Sequence, residues 1–139
     1  MAETPRKEDE VYSLRYLQQL YQNQYSAVSA EMNRSLEYLG QLNAAQKTME
    51  NSNSVKGKDT LLDLGAGVYM GANVKKSDSV LVNIGGSYLA EKSIEEAKLM
   101  MATRIEKMNT LFNKLVKNRN ELRDAIVQVT RRLEELTHK

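Results

Sequence analysis

The sequence predicts a mainly α-helical chain, a long antiparallel two-helix coiled coil with a central insert of two β-hairpins. Three observations carry this: two long flanks without strong breakers, a sustained heptad in each flank, and a change of period in the middle. The only proline is Pro5, and six of the seven glycines (Gly57, Gly65, Gly67, Gly71, Gly85 and Gly86) fall in one central stretch. Proline and glycine therefore punctuate the chain at its start and its centre and leave the flanks free to be helical.

In the first flank, positions spaced three and four apart are mostly apolar. They are Val11, Leu14, Gln18, Tyr21, Tyr25, Val28, Met32, Ser35, Leu39, Leu42, Gln46 and Met49, nine of the twelve apolar. Such a run is the seam of a coiled coil, in which side chains at these spacings lie along one helix face. The second flank repeats the pattern at Ile94, Lys98, Met101, Ile105, Met108, Phe112, Leu115, Arg119, Leu122, Ile126, Val129, Leu133 and Leu136. Thr4 before Pro5 reads as an N-cap with proline at the first helical position, and Ser93 followed by Glu96 reads as a capping box. The first helix is expected over 5–52 and the second over 93–138, each roughly 65–70 Å long at 1.5 Å per residue. Gly40 is the one expected soft spot. Two helices of equal length around a compact insert fold back on each other, so residues whose numbers add to about 144 should face one another. Leu39 is then near Ile105, and Tyr25 near Arg119, where a cation–π contact is possible.

Between 58 and 92 the pattern shortens to four β-branched or aromatic segments, at 61–64, 68–74, 80–84 and 87–91. Gly65, Ala66 and Gly67 supply one tight turn, and Gly85 and Gly86 another; the polar run from Lys75 to Ser79 connects the two hairpins. Two isolated hairpins cannot bury both their faces or hide their edges. Leu61, Leu62, Leu64, Val68, Tyr69, Val80, Val82, Ile84 and Tyr88 are accordingly expected at an interface between subunits.

Composition narrows the function. Only 41% of the 139 residues are apolar, with one Phe and no Trp, which favours a thin helical architecture over a broad globular core. The lack of cysteine removes disulfides and thiolate chemistry and suits a reducing, cytoplasmic setting. Six of the first ten residues are charged and the stretch lacks the apolar core of a signal peptide, and no later run approaches a membrane span. The sequon at Asn33 is then without consequence. His138, the single histidine, has no partner for a metal site. Gly65-Ala66-Gly67 leads into a strand and not a helix, and the glycine and lysine at 57 and 58 lack the earlier glycine of a phosphate loop, so nucleotide binding is not expected. Glu95, Glu96, Glu134 and Glu135 sit at capping or surface positions. No catalytic constellation, cofactor or metal is expected. From Lys98 to Lys139 ten bases stand against five acids, but they alternate, as on a solvated coiled-coil flank, and no nucleic-acid patch is expected.

The segments Asp59 to Met70 and Val80 to Glu91, followed by Glu95, Glu96 and Ala97, resemble the alpha class of prefoldin subunits, and the order of elements agrees over nearly the whole chain. In that family alpha-class subunits carry two hairpins between their helices and beta-class subunits one. The resemblance implies a cytoplasmic, archaeal-type chaperone without enzymatic activity. It would assemble as a hexamer of two alpha-class and four beta-class subunits around a β-barrel platform. Six arms would hold unfolded polypeptide without ATP and pass it to a group II chaperonin. The client-binding tip would then draw on Val11, Tyr12, Leu14, Tyr16, Leu17, Leu20, Ile126, Val127, Val129, Leu133 and Leu136. Of these, Leu14, Val129, Leu133 and Leu136 also lie on the seam and could simply close it. The alternative reading of the same fold is a passive scaffold or adaptor subunit with one fixed partner.

Overall fold

The computed structural model describes residues 6–75 and 78–138. The element order is α1 (Lys7–Glu50), the short α2 (Ser52–Val55), β1 (Asp59–Gly65), β2 (Val68–Asn73), β3 (Ser79–Gly85), β4 (Tyr88–Ser93) and α3 (Ile94–Thr137). The Thr4–Pro5 capping signal lies outside the described residues, as does part of the connector between the hairpins. At the other helix start, the Glu96 N–H donates to Ser93 Oγ at 3.1 Å. A serine N-cap of this kind contributes about 1 kcal/mol, because it satisfies one of the four N–H groups a helix start leaves unpaired.

The heptad decides which helix faces are covered. Every seam position named above is buried or half-buried, from Val11 to Met49 on α1 and from Ile94 to Leu136 on α3. That includes the polar members Gln18, Ser35, Gln46, Lys98 and Arg119, so spacing and not residue type sets the face. α1 runs through Gly40 without a break, and a Cβ there would meet nothing within 4 Å. Gly40→Ala should therefore stabilise the chain by about 0.5–1 kcal/mol, measured by thermal or urea unfolding, since it lowers the entropy lost on folding and meets no clash.

The chain divides into two compact units. The first comprises residues 1–37 and 109–139, the ends of the chain, where α1 and α3 pair antiparallel. Gln18 Nε2 donates to Thr130 Oγ1 at 2.9 Å, and Arg132 meets Glu10 at 3.0 Å. The numbers in these pairs add to 148 and 142, on either side of the expected 144. Its buried residues are Met32, Ser35, Val129 and Leu133.

The second unit, 38–108, holds the rest of both long helices and the two hairpins. Its core is Leu42, Val82, Ala97 and Met101, with Ala45, Met49, Val80, Met100 and Ile105 packed around it. The β3–β4 hairpin thus closes over its own helices through Val82, which is 7% exposed. Arg104 on α3 ties it down further, donating from Nη2 to the carbonyl of Asn83 at 2.8 Å.

The two hairpins are separate two-stranded sheets of the same design, related by a shift of twenty residues. Asp59 pairs with Asn73, as Ser79 pairs with Ser93; each register shifts once, between Asp63 and Gly65 and between Asn83 and Gly85. A side-chain oxygen holds each bulge: Asp63 Oδ1 accepts from Gly65 N at 2.8 Å, and Asn83 Oδ1 from Gly85 N at 2.9 Å. In the first turn Ala66 and Gly67 both have positive φ, 52° and 78°, the mirror-image turn whose twist matches that of the flanking strands.

Candidate functional site: two apolar surfaces

Alternation along the strands sorts the hairpin side chains by face. In β3–β4, Val80, Val82 and Ala90 face the helices, whereas Leu81 and Leu89 face outward and are exposed. The equivalent face of β1–β2 carries Thr60, Leu62, Met70 and Ala72, and the opposite face Leu61 and Tyr69. All of residues 61–70 are exposed in the single chain, Leu61 at 70%. Among the residues expected between subunits, Leu61, Leu62, Leu64, Val68, Tyr69, Ile84 and Tyr88 are therefore open. Val82 is not: the helices of its own chain cover it, with Val80 half-buried beside it. Sequence alternation could not separate the two hairpins, because both present apolar side chains at equivalent strand positions, Leu62 and Val82 among them; in the structure Val82 packs with Leu42, Ala97 and Met101, with Ala45 against them.

A second apolar surface lies in the first unit, where α1 begins and α3 ends. Tyr12, Tyr16 and Leu20 recur every four residues and form one stripe along α1, with exposures of 77%, 65% and 37%. Val127 on α3 is also exposed. The seam beneath is closed: Val129 and Leu133 are buried, and Val11, Leu14, Ile126 and Leu136 are half-buried. Leu17, expected to stand off the seam, is half-buried, leaving the stripe to the two tyrosines and Leu20.

An ionic link at this end was not anticipated from spacing. Arg132 Nε and Nη2 donate to Glu10 Oε1, at 3.1 and 3.0 Å, while Nη1 reaches Glu135 Oε2 at 3.2 Å. The hydrogen bond to Glu10, followed by that to Glu135, raises the arginine pKa above its ordinary value. Only the Glu135 half, three residues along the same helix, had a signal in the sequence; the Glu10 half depends on the register between helices.

Among the described residues there is no group of three or more His, Cys, Asp or Glu side chains able to hold a metal ion, and no helix is long and apolar enough to cross a membrane. Both surfaces are open and non-directional. What they can do is bury apolar area on another polypeptide.

Comparison with known proteins agrees with this geometry. The prefoldin subunit family model matches residues 21–139. The prefoldin subunit alpha of Methanocorpusculum labreanum is 29% identical over 134 residues, covering 93% of this chain and 88% of the relative. That of Pyrococcus horikoshii is 23% identical, covering 94% and 89%. The probable prefoldin subunit 5 of Dictyostelium discoideum is 24% identical, covering 80% and 74%. A cryo-EM structure of filamentous PFD from Methanocaldococcus jannaschii superposes with a TM-score of 0.63 at 25% identity, covering 87% of this chain and 95% of that one. With two hairpins between two heptad helices, and with alpha subunits among its relatives, the chain belongs to the prefoldin family as an alpha-class subunit.

Proposed function

We propose that the chain is the alpha-class subunit of a cytoplasmic, ATP-independent chaperone that holds unfolded polypeptides on the tips of its coiled coils. The observation that carries the reading is the Tyr12–Tyr16–Leu20 stripe, which stays exposed beside a seam that is already closed. A residue needed to close the coiled coil would be covered; these three are spare. Burial of each by a client contributes about 1.5–3 kcal/mol at most, so tight holding requires several arms at once. The platform would come from the open hairpin residues Leu61, Leu62, Leu64, Val68, Tyr69, Ile84 and Tyr88, pairing with beta-class subunits to give two alpha and four beta chains. Clients are polypeptides that expose apolar area, and delivery is to a group II chaperonin. No step calls for catalysis or a cofactor.

The test is aggregation of a chemically denatured, unrelated protein, followed without ATP in the presence of this chain alone and with a beta-class partner, alongside the mass of the assembly by light scattering. Suppression that depends on the partner, at a hexamer-sized mass, and that survives a rise in salt is the expected result. Binding that falls steeply with salt would point to an electrostatic ligand such as nucleic acid. A stable assembly that suppresses nothing would make the chain a passive scaffold. Open-ended growth in mass without a partner would place it instead beside the filamentous relative.

A further inference from the structure

The second compact unit shows what this helix pair accepts on its flank. Val80 and Val82 of β3 pack against Ala45 and Met49 of α1 and Ala97 and Met101 of α3, and Thr48 lines the same seat. Arg104 fixes the strand through the carbonyl of Asn83. The occupant of the seat is therefore an extended segment with aliphatic residues at alternate positions, held by one side-chain donor to its backbone. A groove of about 470 Å³ in the first unit repeats this seat. Its α1 wall, Gln24, Ala27 and Val28, stands twenty-one residues before Ala45, Thr48 and Met49, and its α3 residues Asn118 and Leu122 stand twenty-one after Ala97 and Met101. Twenty-one residues are three heptads, so each of these pairs holds the same place around its helix. The sixth lining residue is Glu121, and no strand contributes to the groove. Val28 and Leu122 form its half-buried floor, and the other four residues are exposed.

We propose that this groove takes an extended segment of the client polypeptide, with an aliphatic side chain seated between Ala27, Val28 and Leu122 and a lysine or arginine of the segment beside Glu121. The first argument is the template: at equivalent heptad positions the same helices already hold such a segment, their own β3. The second is continuity. Tyr12, Tyr16 and Leu20 recur every four residues, and the same step leads on to Gln24 and Val28, so the groove opens about 6 Å beyond the exposed stripe. The third is charge. The seat of β3 carries Arg104, and β3 itself has no charged residue; the groove carries a carboxylate instead. Among the described residues the side chains of Glu121, Gln24 and Asn118 have no hydrogen-bond or ion-pair partner. The carboxylate selects a base, and the two amides can pair with the N–H and C=O groups of an extended backbone. The inference rests on the chaperone reading and deepens it. The stripe binds apolar area of any shape, whereas the groove selects an unpaired extended chain, which a folded protein does not offer.

The test uses two short labelled peptides of one composition, the first with valine at every second position and lysine and serine between, the second with the same residues scrambled. The sequence has no cysteine, so a fluorophore on Asn33→Cys, an exposed position outside the groove, reports by energy transfer on this chain alone within an assembly whose beta-class partner also lacks cysteine. The alternating peptide should bind at least about ten-fold more tightly than the scrambled one, since only it seats an aliphatic side chain with its backbone extended. Ala27→Trp, which fills the groove, should erase that preference, and Ala30→Trp, exposed on the same helix but outside the groove, should keep it. Glu121→Lys should transfer the preference to a peptide with glutamate in place of lysine. Equal binding of the two peptides, or a preference that Ala27→Trp leaves intact, would overturn the proposal. A fall in assembly mass with Ala27→Trp would overturn it as well and make the groove a subunit contact. Suppression of client aggregation by the unsubstituted assembly is measured alongside. Where it persists, the chaperone reading stands and only the groove is lost; where it is absent, both fall.

Discussion

Replacing Tyr12, Tyr16 and Leu20 together with Ser removes the suppression of client aggregation and leaves the mass of the assembly unchanged. The three side chains supply the exposed stripe on α1, and each is worth about 1.5–3 kcal/mol at most when a client covers it. Since 1.4 kcal/mol is a factor of ten in affinity, losing three per arm should raise the concentration needed for half-suppression by far more than about ten-fold. The helix should persist, because serine and tyrosine have similar helix propensities, the Leu20 replacement costs only about a few tenths of a kcal/mol by propensity, and the buried Val129 and Leu133 of the seam are retained. Assembly is untouched because the hairpins belong to the other compact unit. A variant that loses its assembly as well would show that the stripe is a subunit contact.

The second large effect is on the platform. Leu62→Asp combined with Leu64→Asp should reduce the assembly to small species in light scattering while the helical circular dichroism of the single chain is kept. Both side chains are exposed in that chain, so folding loses no contact, whereas a neighbour covering them would have to bury two unpaired carboxylates. The lost apolar burial alone is about 3–6 kcal/mol for each copy of the interface, and desolvation of the charges adds to it. Val82→Asp is the informative contrast: it should unfold the β3–β4 hairpin within the single chain, because Val82 belongs to the core with Leu42, Ala97 and Met101.

The helical part of this architecture was legible in the sequence because a heptad is a statement about geometry. Spacing alone put polar Gln18, Ser35 and Arg119 on the covered face, and Gln18 is found bonded to Thr130 across the pair. The two turns were equally legible, since Gly65, Ala66 and Gly67 stand where positive φ is needed. What the sequence could not separate was the partner of each apolar strand. Val82 and Leu62 occupy equivalent places in equivalent hairpins, yet one is buried in its own chain and the other is open. That difference lies in the packing of Val82 on Leu42 of α1 and on Ala97 and Met101 of α3, which alternation along a strand does not encode. Leu17 shows the same limit on the helices: one position off the seam, it is half-buried while Tyr16 stands clear. The Arg132–Glu10 link joins residues 122 apart, and the uncertainty of a few residues in the expected register was enough to hide it.

The most direct test of the central claim, that the α1 stripe is kept free for clients, is photo-cross-linking from a photoreactive residue placed at Tyr16 in the full assembly, before and after addition of a denatured protein. The account predicts little labelling of any subunit at rest and transfer of the label to the client once it is bound. Labelling of one defined subunit helix at rest, unchanged by the client, would contradict it and make the stripe the fixed contact of a scaffold.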